Sequence, residues 1–158
     1  MVQLEELTYI QAPIVKCFDL ARSVEVHLAG NVHWGESALA TGGVTSGLVG
    51  PGQRVTWRAR HLGVRQSLTS QITAFEPSTY FRDTMIDGAF RVMWHDHFFR
   101  AMSDDATEMP ATEMKDIFCF AAPIPLLGRL AEMMVLRRYM RALLLERNAV
   151  LKRIAEQS

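Results

Sequence analysis

The sequence lacks several features that would assign it to a special class of protein. It has only two cysteines, Cys17 and Cys119, and neither belongs to a CxxC pair or to a metal-ligand pattern. Such cysteines are typical of small core residues in a reducing compartment. The chain after Met1 has no charged and apolar regions of a signal peptide, and no run reaches ~18 uncharged apolar residues. We therefore expect a cytoplasmic protein with no transmembrane segment.

An excess of charge is also missing, since 17 Lys and Arg residues balance 17 Asp and Glu residues. Proteins that bind nucleic acid usually concentrate Lys and Arg, so we expect no nucleic-acid partner. The sequence contains no GxSxG elbow, no P-loop and no GxGxxG after a strand. Nucleophilic catalysis is therefore not indicated, and we expect no cofactor. With 158 residues, 49% of them hydrophobic, the chain is long enough for a single domain, residues 1–158, with a real core.

Most of the chain alternates between apolar and polar residues, as β-strands do. The Asp87–Gly88 pair between two such stretches is a strong hairpin signal, and successive strands joined by short turns form an antiparallel sheet. The predicted strands are Val2–Ile10, Arg54–Leu62, Val64–Phe75, Tyr80–Ile86, Phe90–Met102 and Thr112–Phe120. The stretch between Asn31 and Gly52 is rich in glycine, so any strand within it is broken or bulged.

Helical patterns occur after the first strand and at the end of the chain. Pro13 is suited to a helix start, and Ser23 can cap a second short helix that ends at Gly30. From Pro123 to Glu156 the residues are mostly good helix formers, with an apolar stripe interrupted once by Arg147. This helix would be about 45 Å long and must lie against a surface. The fold class is therefore α+β, an antiparallel sheet of about six to seven strands covered by a long helix.

Charged residues indicate which face of the sheet is buried. Glu113 and Lys115 share one side of the last strand, so Met114, Asp116 and Phe118 should point inward. If Arg100 pairs with Glu113 on the outer face, the same register places His97 opposite Asp116 and His95 opposite Phe118. A shift of one residue would turn all these side chains to the other face.

The inner face predicted in this way is too polar for a dry core. It carries His61, Asp83, His95, His97 and Asp116 among aromatic and methionine side chains. A buried polar group without a partner costs about 1–3 kcal/mol, so these groups must be paired, hydrated or functional. Two interpretations remain open: satisfied pairs such as His97 with Asp116, or a cavity for water or a ligand between the sheet and the last helix.

For the second interpretation we predict one set of lining residues. Flexible methionines among them suit an adaptable apolar wall. The predicted set is Trp57, His61, Gln66, Phe81, Asp83, Met93, His95, His97, Phe99, Met114, Asp116, Phe118, Met133 and Met140.

Four of these residues are candidates for chemistry: His95, His97, Asp116 and Asp83. Histidine titrates near neutral pH, and a carboxylate can orient it for acid–base catalysis. His95 and His97 point the same way on a strand, so they could also share a metal ion with either aspartate. Two histidines at this spacing arise easily by chance, however, and we expect no metal.

Several stretches of sequence, together with the order of elements, are typical of one known superfamily. They are Val2–Pro13, Gly52–Trp57, Leu68–Ile72 with Pro77, Gly88–Phe90, His95–Phe99 and the long last helix. They resemble the START-like superfamily, also called SRPBCC, which includes polyketide cyclase/dehydrase-type proteins and the birch-pollen allergen. The resemblance covers essentially the whole chain. It implies a helix-grip fold, in which a curved sheet wraps around the C-terminal helix and an apolar cavity.

The resemblance further implies binding of lipids, polyketides, quinones or other hydrophobic molecules, and cyclase chemistry in some branches. No catalytic set of the superfamily can be transferred to these positions. We therefore expect a protein that binds a small hydrophobic molecule between sheet and helix, with a cyclase or dehydratase that uses a His/Asp pair as the alternative. The basic side of the last helix and the apolar loop at Leu48 and Val49 leave a homodimer open.

Overall fold

The computed structural model describes residues 1–32, 37–39, 43–61, 64–102, 109–121 and 129–157, and for residues 38, 39, 61 and 129–133 it describes the backbone only. The turn expected at Gly63 and the helix start expected near Pro123 lie outside the described residues. The elements are β1 (Val2–Ile10), α1 (Ile14–Ala21), α2 (Val24–Gly30), β2 (Ser37–Leu39), β3 (Arg54–His61), β4 (Val64–Glu76), β5 (Tyr80–Asp87), β6 (Val92–Ala101), β7 (Thr112–Ala121) and α3 (Arg129–Gln157).

The strands form one antiparallel sheet in the order β1-β7-β6-β5-β4-β3-β2. From β2 to β7 each strand pairs with the next one in sequence, and β1 joins the far edge beside β7. The pairing of β4 with β5 shifts register between Thr69 and Ser70 and again between Ile72 and Ala74. Such bulges bend a strand and increase its twist, which helps the sheet to curve around the helices.

The register predicted for the last two strands is confirmed. Arg100 lies opposite Glu113, and their side chains form an ion pair on the outer face, 3.0 Å from Nη2 to Oε1. In the same ladder His97 lies opposite Asp116 and His95 opposite Phe118. The predicted inward residues of β7 are buried, whereas Glu113 and Lys115 are only half-buried.

The two short helices cover one end of the concave face of the sheet. As predicted, α1 follows Pro13 and buries Cys17 and Phe18. The Ser23 hydroxyl caps α2 by accepting a hydrogen bond from the Val26 amide, at 3.3 Å. Phe18 packs edge-on against Phe81 and Phe99 on the inner face of the sheet. This part of the face is therefore closed by aromatic packing.

The long helix α3 covers the rest of the face. Its most deeply buried residues are Leu144, Asn148, Leu151 and Ala155, which recur every three or four positions along one side of the helix. Towards its N-terminal half, Leu136, Met140 and Leu143 from the predicted stripe are less deeply buried than these residues. Among the helices of the described residues, none is long and apolar enough to cross a membrane.

Candidate functional site

A buried polar network ties three strands to α3. His95 Nε2 lies 2.8 Å from Asp116 Oδ1, and the Asn148 side-chain amide donates to Asp116 Oδ2 at 2.6 Å. His97 Nδ1 also lies 2.8 Å from Asp116 Oδ1, although it is not aligned as a hydrogen bond. The Asn148 amide also reaches the Thr8 hydroxyl of β1, at 3.3 Å. The network therefore joins β1, β6 and β7 to the helix.

Burial and mutual contacts set the protonation of this network. Burial alone would raise the pKa of Asp116, but the contacts from His95 and His97 hold it well below its usual range. Burial lowers the pKa of both histidines, that of His97 to about 3. The carboxylate is therefore charged and both imidazoles are neutral near pH 7. Because an ionised carboxylate only accepts hydrogen bonds, His95 carries its proton on Nε2 and has a lone pair on Nδ1.

The same three side chains form the cluster with metal-ligand geometry among the described residues. One ligand atom each from His95, His97 and Asp116 lie within 4.8 Å of one another, and all three residues are buried. Two imidazoles and a carboxylate suit zinc. The two imidazole nitrogens already face the carboxylate at 2.8 Å, so an ion would have to replace those contacts.

A cavity of about 460 Å³ lies between the sheet and α3. Leu136, Met140, Leu143 and Leu144 of α3 line it. Most of the remaining wall is also apolar. It is supplied by Trp57, Ala59, Leu68, Ala89, Phe90, Met93 and Phe118 from the strands and the turn after β5. Its volume is in the range of small-molecule sites, and its wall has their composition, mainly apolar with a few polar groups.

The polar lining groups include a cluster of four side chains, His27, Asp83, His95 and Arg147, which we call the polar end. Asp83 lies directly opposite His95 in the β5–β6 ladder. Burial raises the pKa of Asp83, while a hydrogen bond with Ser70 lowers it in part. His95, His27 and Arg147 are near enough that positive charge on any of them also lowers the pKa of Asp83. Since burial has the larger effect, the carboxyl group is easier to protonate than a carboxyl group in water.

Local packing directs Arg147 into this region. The backbone of α2 at Gly30 lies so close to α3 that a Cβ there would be 3.0 Å from both Cα and Cγ of Arg147. Glycine thus permits the close approach that holds the stem of the arginine. The imidazole of His27 stacks on the indole of Trp57, with ring centroids 3.9 Å apart. These residues are therefore fixed by the contact between the two helices and by the sheet.

A second hollow of about 30 Å³ lies next to the cavity. His27, Trp57, Asp83 and Arg147 line both spaces. Its other walls come from the end of α1, the loop around Val49 and the inner face of the sheet. It has room for one or two water molecules.

Seven of the predicted lining residues border the large cavity: Trp57, Gln66, Asp83, Met93, His95, Phe118 and Met140. Five others lie elsewhere. Phe81 and His97 border the small hollow, while Phe99, Met114 and Asp116 are buried and border neither space. The side chains of His61 and Met133 lie outside the described residues.

The difference between these two groups has a simple cause. The sequence pattern predicts only the last helix over the sheet, whereas in the structure Phe18 of α1 covers the region around Phe81 and Phe99. His97 then stacks on Phe81, with ring centroids 4.2 Å apart. The candidates for chemistry are divided in the same way, since Asp83 and His95 border the cavity and Asp116 is enclosed.

Sequence reasoning missed several lining residues. The interruption of the apolar stripe by Arg147 was a usable signal, because a single arginine on the buried side of a helix needs a specific environment. Leu136 and Leu143 belonged to the stripe but were not assigned to the site. His27, Asn31, Ala59 and Tyr139 carry no comparable signal in the sequence, since their position depends on how α2 and α3 pack.

No protein-family model matches this chain, and neither does any curated protein. Solved structures match it over nearly their whole length. A START superfamily protein from Mycobacterium smegmatis matches with a TM-score of 0.71 at 8% identity, covering 98% of this chain and 97% of that one. The protein TTHA0849 from Thermus thermophilus matches with a TM-score of 0.69 at 16% identity, covering 95% and 97%. Ara h 8.0201 matches with a TM-score of 0.59 at 15% identity, also covering 95% and 97%.

Identities this low establish a common fold and leave the ligand and the activity open. The shared features are the antiparallel sheet, the two short helices after the first strand and the long last helix. The chain has the START-like helix-grip fold.

Proposed function

We propose that this protein binds a small hydrophobic molecule, of lipid, polyketide or quinone type, in the cavity between the sheet and α3. The observation that carries the proposal is the cavity itself, about 460 Å³ with a mainly aliphatic and aromatic wall. An apolar ligand would remove this wall from water, which contributes roughly 25 cal/mol per Å² of apolar surface buried. The helix-grip fold of the structural neighbours is consistent with such binding.

The test compares two substitutions on the same helix. Leu143 borders the cavity, whereas Leu145 is 45% exposed on the opposite side. Hydrophobic probes, among them fatty acids, fatty alcohols, naphthols and quinones, are screened by thermal shift and by native mass spectrometry. We expect at least one class to bind with 1:1 stoichiometry, Leu143→Trp to weaken it at least tenfold because the indole fills the cavity, and Leu145→Trp to leave it unchanged.

Two results would contradict the proposal. One is the absence of binding across the whole panel. The other is equal binding by wild type and Leu143→Trp, which would place the ligand elsewhere on the molecule.

A second candidate function is a cyclase or dehydratase, because Asp83 and His95 border the same cavity. The directions of their pKa shifts suit acid–base work: burial raises the pKa of Asp83 and lowers that of His95. In a dehydration, His95 Nδ1 would take a proton from the carbon beside a carbonyl group. Asp83 would give its proton to the leaving hydroxyl group, so that water departs and a double bond forms.

The catalytic candidate is tested with β-hydroxy ketones and poly-β-ketone thioesters, by mass-spectrometric detection of the loss of water. We expect Asp83→Asn and His95→Gln each to lower turnover at least a hundredfold, with substrate affinity little changed. Turnover by neither the wild type nor the variants would remove this candidate and leave the binding proposal intact.

A further inference from the structure

The ends of the large cavity differ in chemistry. Met93, Phe118 and Leu144 belong to one cluster of buried apolar residues, and Phe90, Leu136 and Met140 pack against it. The polar end holds the two lining residues with a carboxyl or guanidinium group, Asp83 and Arg147. The other polar lining residues, Asn31, Gln66, Ser67 and Tyr139, carry no charge, so a ligand would meet a mainly apolar, uncharged wall and the charged groups of the polar end.

The cavity is long enough for such a ligand to lie along α3. Leu136 and Arg147 are 11 positions apart, about 16 Å along a helix axis. Both border the cavity, and so do Met140 and Leu143 between them. Arg147 thus terminates an apolar side of the helix at the point where α2 approaches closely.

The charge of Arg147 is the feature that points to a ligand. Guanidinium groups stay protonated and bind carboxylates in a planar, two-pronged geometry. Arg22, Arg82, Arg100 and Arg141 each pair with a carboxylate, whereas Arg147 has no such contact within the part of the chain that the structure describes. The carboxyl group that shares the polar end with Arg147 is Asp83, whose charged form is disfavoured by burial.

A partly buried cation without a close anionic partner is costly, and an anionic ligand would offset that cost. Burial favours the neutral form of Asp83, and in that form its carboxyl group can donate a second hydrogen bond beside the guanidinium. Asp116 forms no direct ion pair with Arg147, because its two oxygens already contact His95, His97 and Asn148. The polar end is therefore suited to accept a carboxylate.

We infer that the ligand is a hydrophobic carboxylic acid, with its carboxylate at Arg147 and Asp83 and its apolar part against Met93, Phe118 and Leu136. This inference rests on the proposed binding function and specifies its ligand class. A neutral or cationic head on the same apolar body would bind less well. The carboxylate could belong to an alkyl or an aromatic acid, and the shape of the apolar end decides between them.

The experiment uses two series of probes with matched bodies. One has an n-dodecyl chain and the other a 2-naphthyl group, and each carries a carboxylate, a hydroxymethyl or an aminomethyl end. Affinities are measured by isothermal titration calorimetry at pH 7.5, below the aggregation concentration of each probe. In at least one series we expect the acid to bind at least tenfold more tightly than the alcohol, and the amine to bind most weakly.

Three variants test whether Arg147 causes the preference for the acid over the alcohol. Arg147→Met keeps an unbranched, helix-compatible side chain without the charge, and we expect it to abolish the advantage of the acid while leaving the alcohol unaffected. Arg147→Lys keeps the charge without the planar guanidinium group, and it should retain part of the affinity difference between acid and alcohol. Arg153→Met removes an exposed arginine from the same helix and should change nothing.

Equal affinity of the wild type for acid and alcohol would overturn the inference of a carboxylic acid, but it would not contradict the proposed binding of a hydrophobic molecule. The same would follow if Arg147→Met weakened acid and alcohol alike, or if Arg153→Met matched its effect. Failure of every probe to bind would overturn both the inference and the proposed function. The comparison of acid with alcohol in the wild type needs no variant, so it remains decisive if Arg147→Met does not fold.

Discussion

Asp116 and Asp83 occupy equivalent places in the sheet but have opposite surroundings. Both point to the inner face, and each lies opposite a histidine of β6. Asp116 is completely buried, and both of its oxygens have partners from β6 and α3. Asp83 is only half-buried because it borders the cavity. The same residue type is thus an enclosed, fully hydrogen-bonded carboxylate in one position and a cavity-lining carboxyl group in the other.

The pKa values of the two aspartates express this difference. Burial acts on both, but close partners outweigh it at Asp116 and do not at Asp83, so the first pKa is lowered and the second raised. A buried carboxylate is tolerated when hydrogen bonds replace its hydration. The number of close donors, more than the depth of burial, therefore separates the structural aspartate from the candidate functional one.

The largest effect should come from Asp116→Asn. The substitution removes a charge that organises His95, His97 and Asn148, and it places an amide donor against groups that are donors themselves. We expect the free energy of unfolding to fall by about 3–5 kcal/mol, because the two buried hydrogen bonds from His95 and Asn148 to a charged acceptor are lost or weakened, at about 1.5–3 kcal/mol each. Urea unfolding at pH 7 measures it.

Glu113→Gln is the matched control for that experiment. Glu113 lies on the same strand and pairs with Arg100, but on the outer face, where the arginine side chain is 70% exposed. We expect a loss below about 1 kcal/mol. Similar losses for the two variants would mean that the Asp116 network contributes no more than a surface pair.

Much of the arrangement around Asp116 could be predicted from the sequence. One assumed ion pair, Arg100 with Glu113, determined the register and so placed both histidines and Asp116 on the inner face. The strands and the Ser23 cap followed from alternation and local chemistry. These features depend on neighbours in sequence or on adjacent strands, which patterns of residues report well.

The surroundings of Asp83 could not be predicted in the same way. Whether a side chain on the inner face borders a cavity depends on the helix above it, and Phe18 of α1 closes the region that holds Phe81 and Phe99. The approach of Gly30 to Arg147 is likewise a contact between distant helices. Such contacts leave no periodic signal in the sequence.

An intermediate effect is expected from the pH dependence of stability. Burial lowers the pKa of His97 to about 3 in the folded protein, from 6.5 in the unfolded chain. Between these values the unfolded state binds the additional proton, so stability falls as the pH is lowered from about 6.5 towards 3. His95, whose pKa is also lowered, acts with the same sign. Asp83, whose pKa is raised, acts with the opposite sign above about pH 3.8.

The contribution of His97 is isolated with His97→Gln, which keeps a polar side chain beside Asp116 and does not titrate. Urea unfolding from pH 7 to pH 5 should show a shallower loss of stability in the variant. The difference in slope should approach about 1.4 kcal/mol per pH unit below about pH 6, the value for one proton. His95 and Asp83 titrate in both proteins, so their contributions largely cancel when the slope of the variant is compared with that of the wild type. Identical slopes would show that His97 is protonated as easily in the fold as in water.

The smallest effect, and the sharpest contrast with Asp116, is expected for Asp83→Asn. Because the folded-state pKa of Asp83 is raised, its charged form reduces stability at pH 7, and this penalty disappears as the pH falls and the carboxyl group is protonated. A neutral amide of the same shape removes the penalty and can still form a hydrogen bond with Ser70. We expect a gain of about 1 kcal/mol or less in the free energy of unfolding at pH 7, against the large loss for Asp116→Asn. A decrease of more than about 1 kcal/mol in the free energy of unfolding would mean that Asp83 stabilises the fold as an anion. Asp83 would then already neutralise Arg147, and the proposed carboxylate site at the polar end would have no basis.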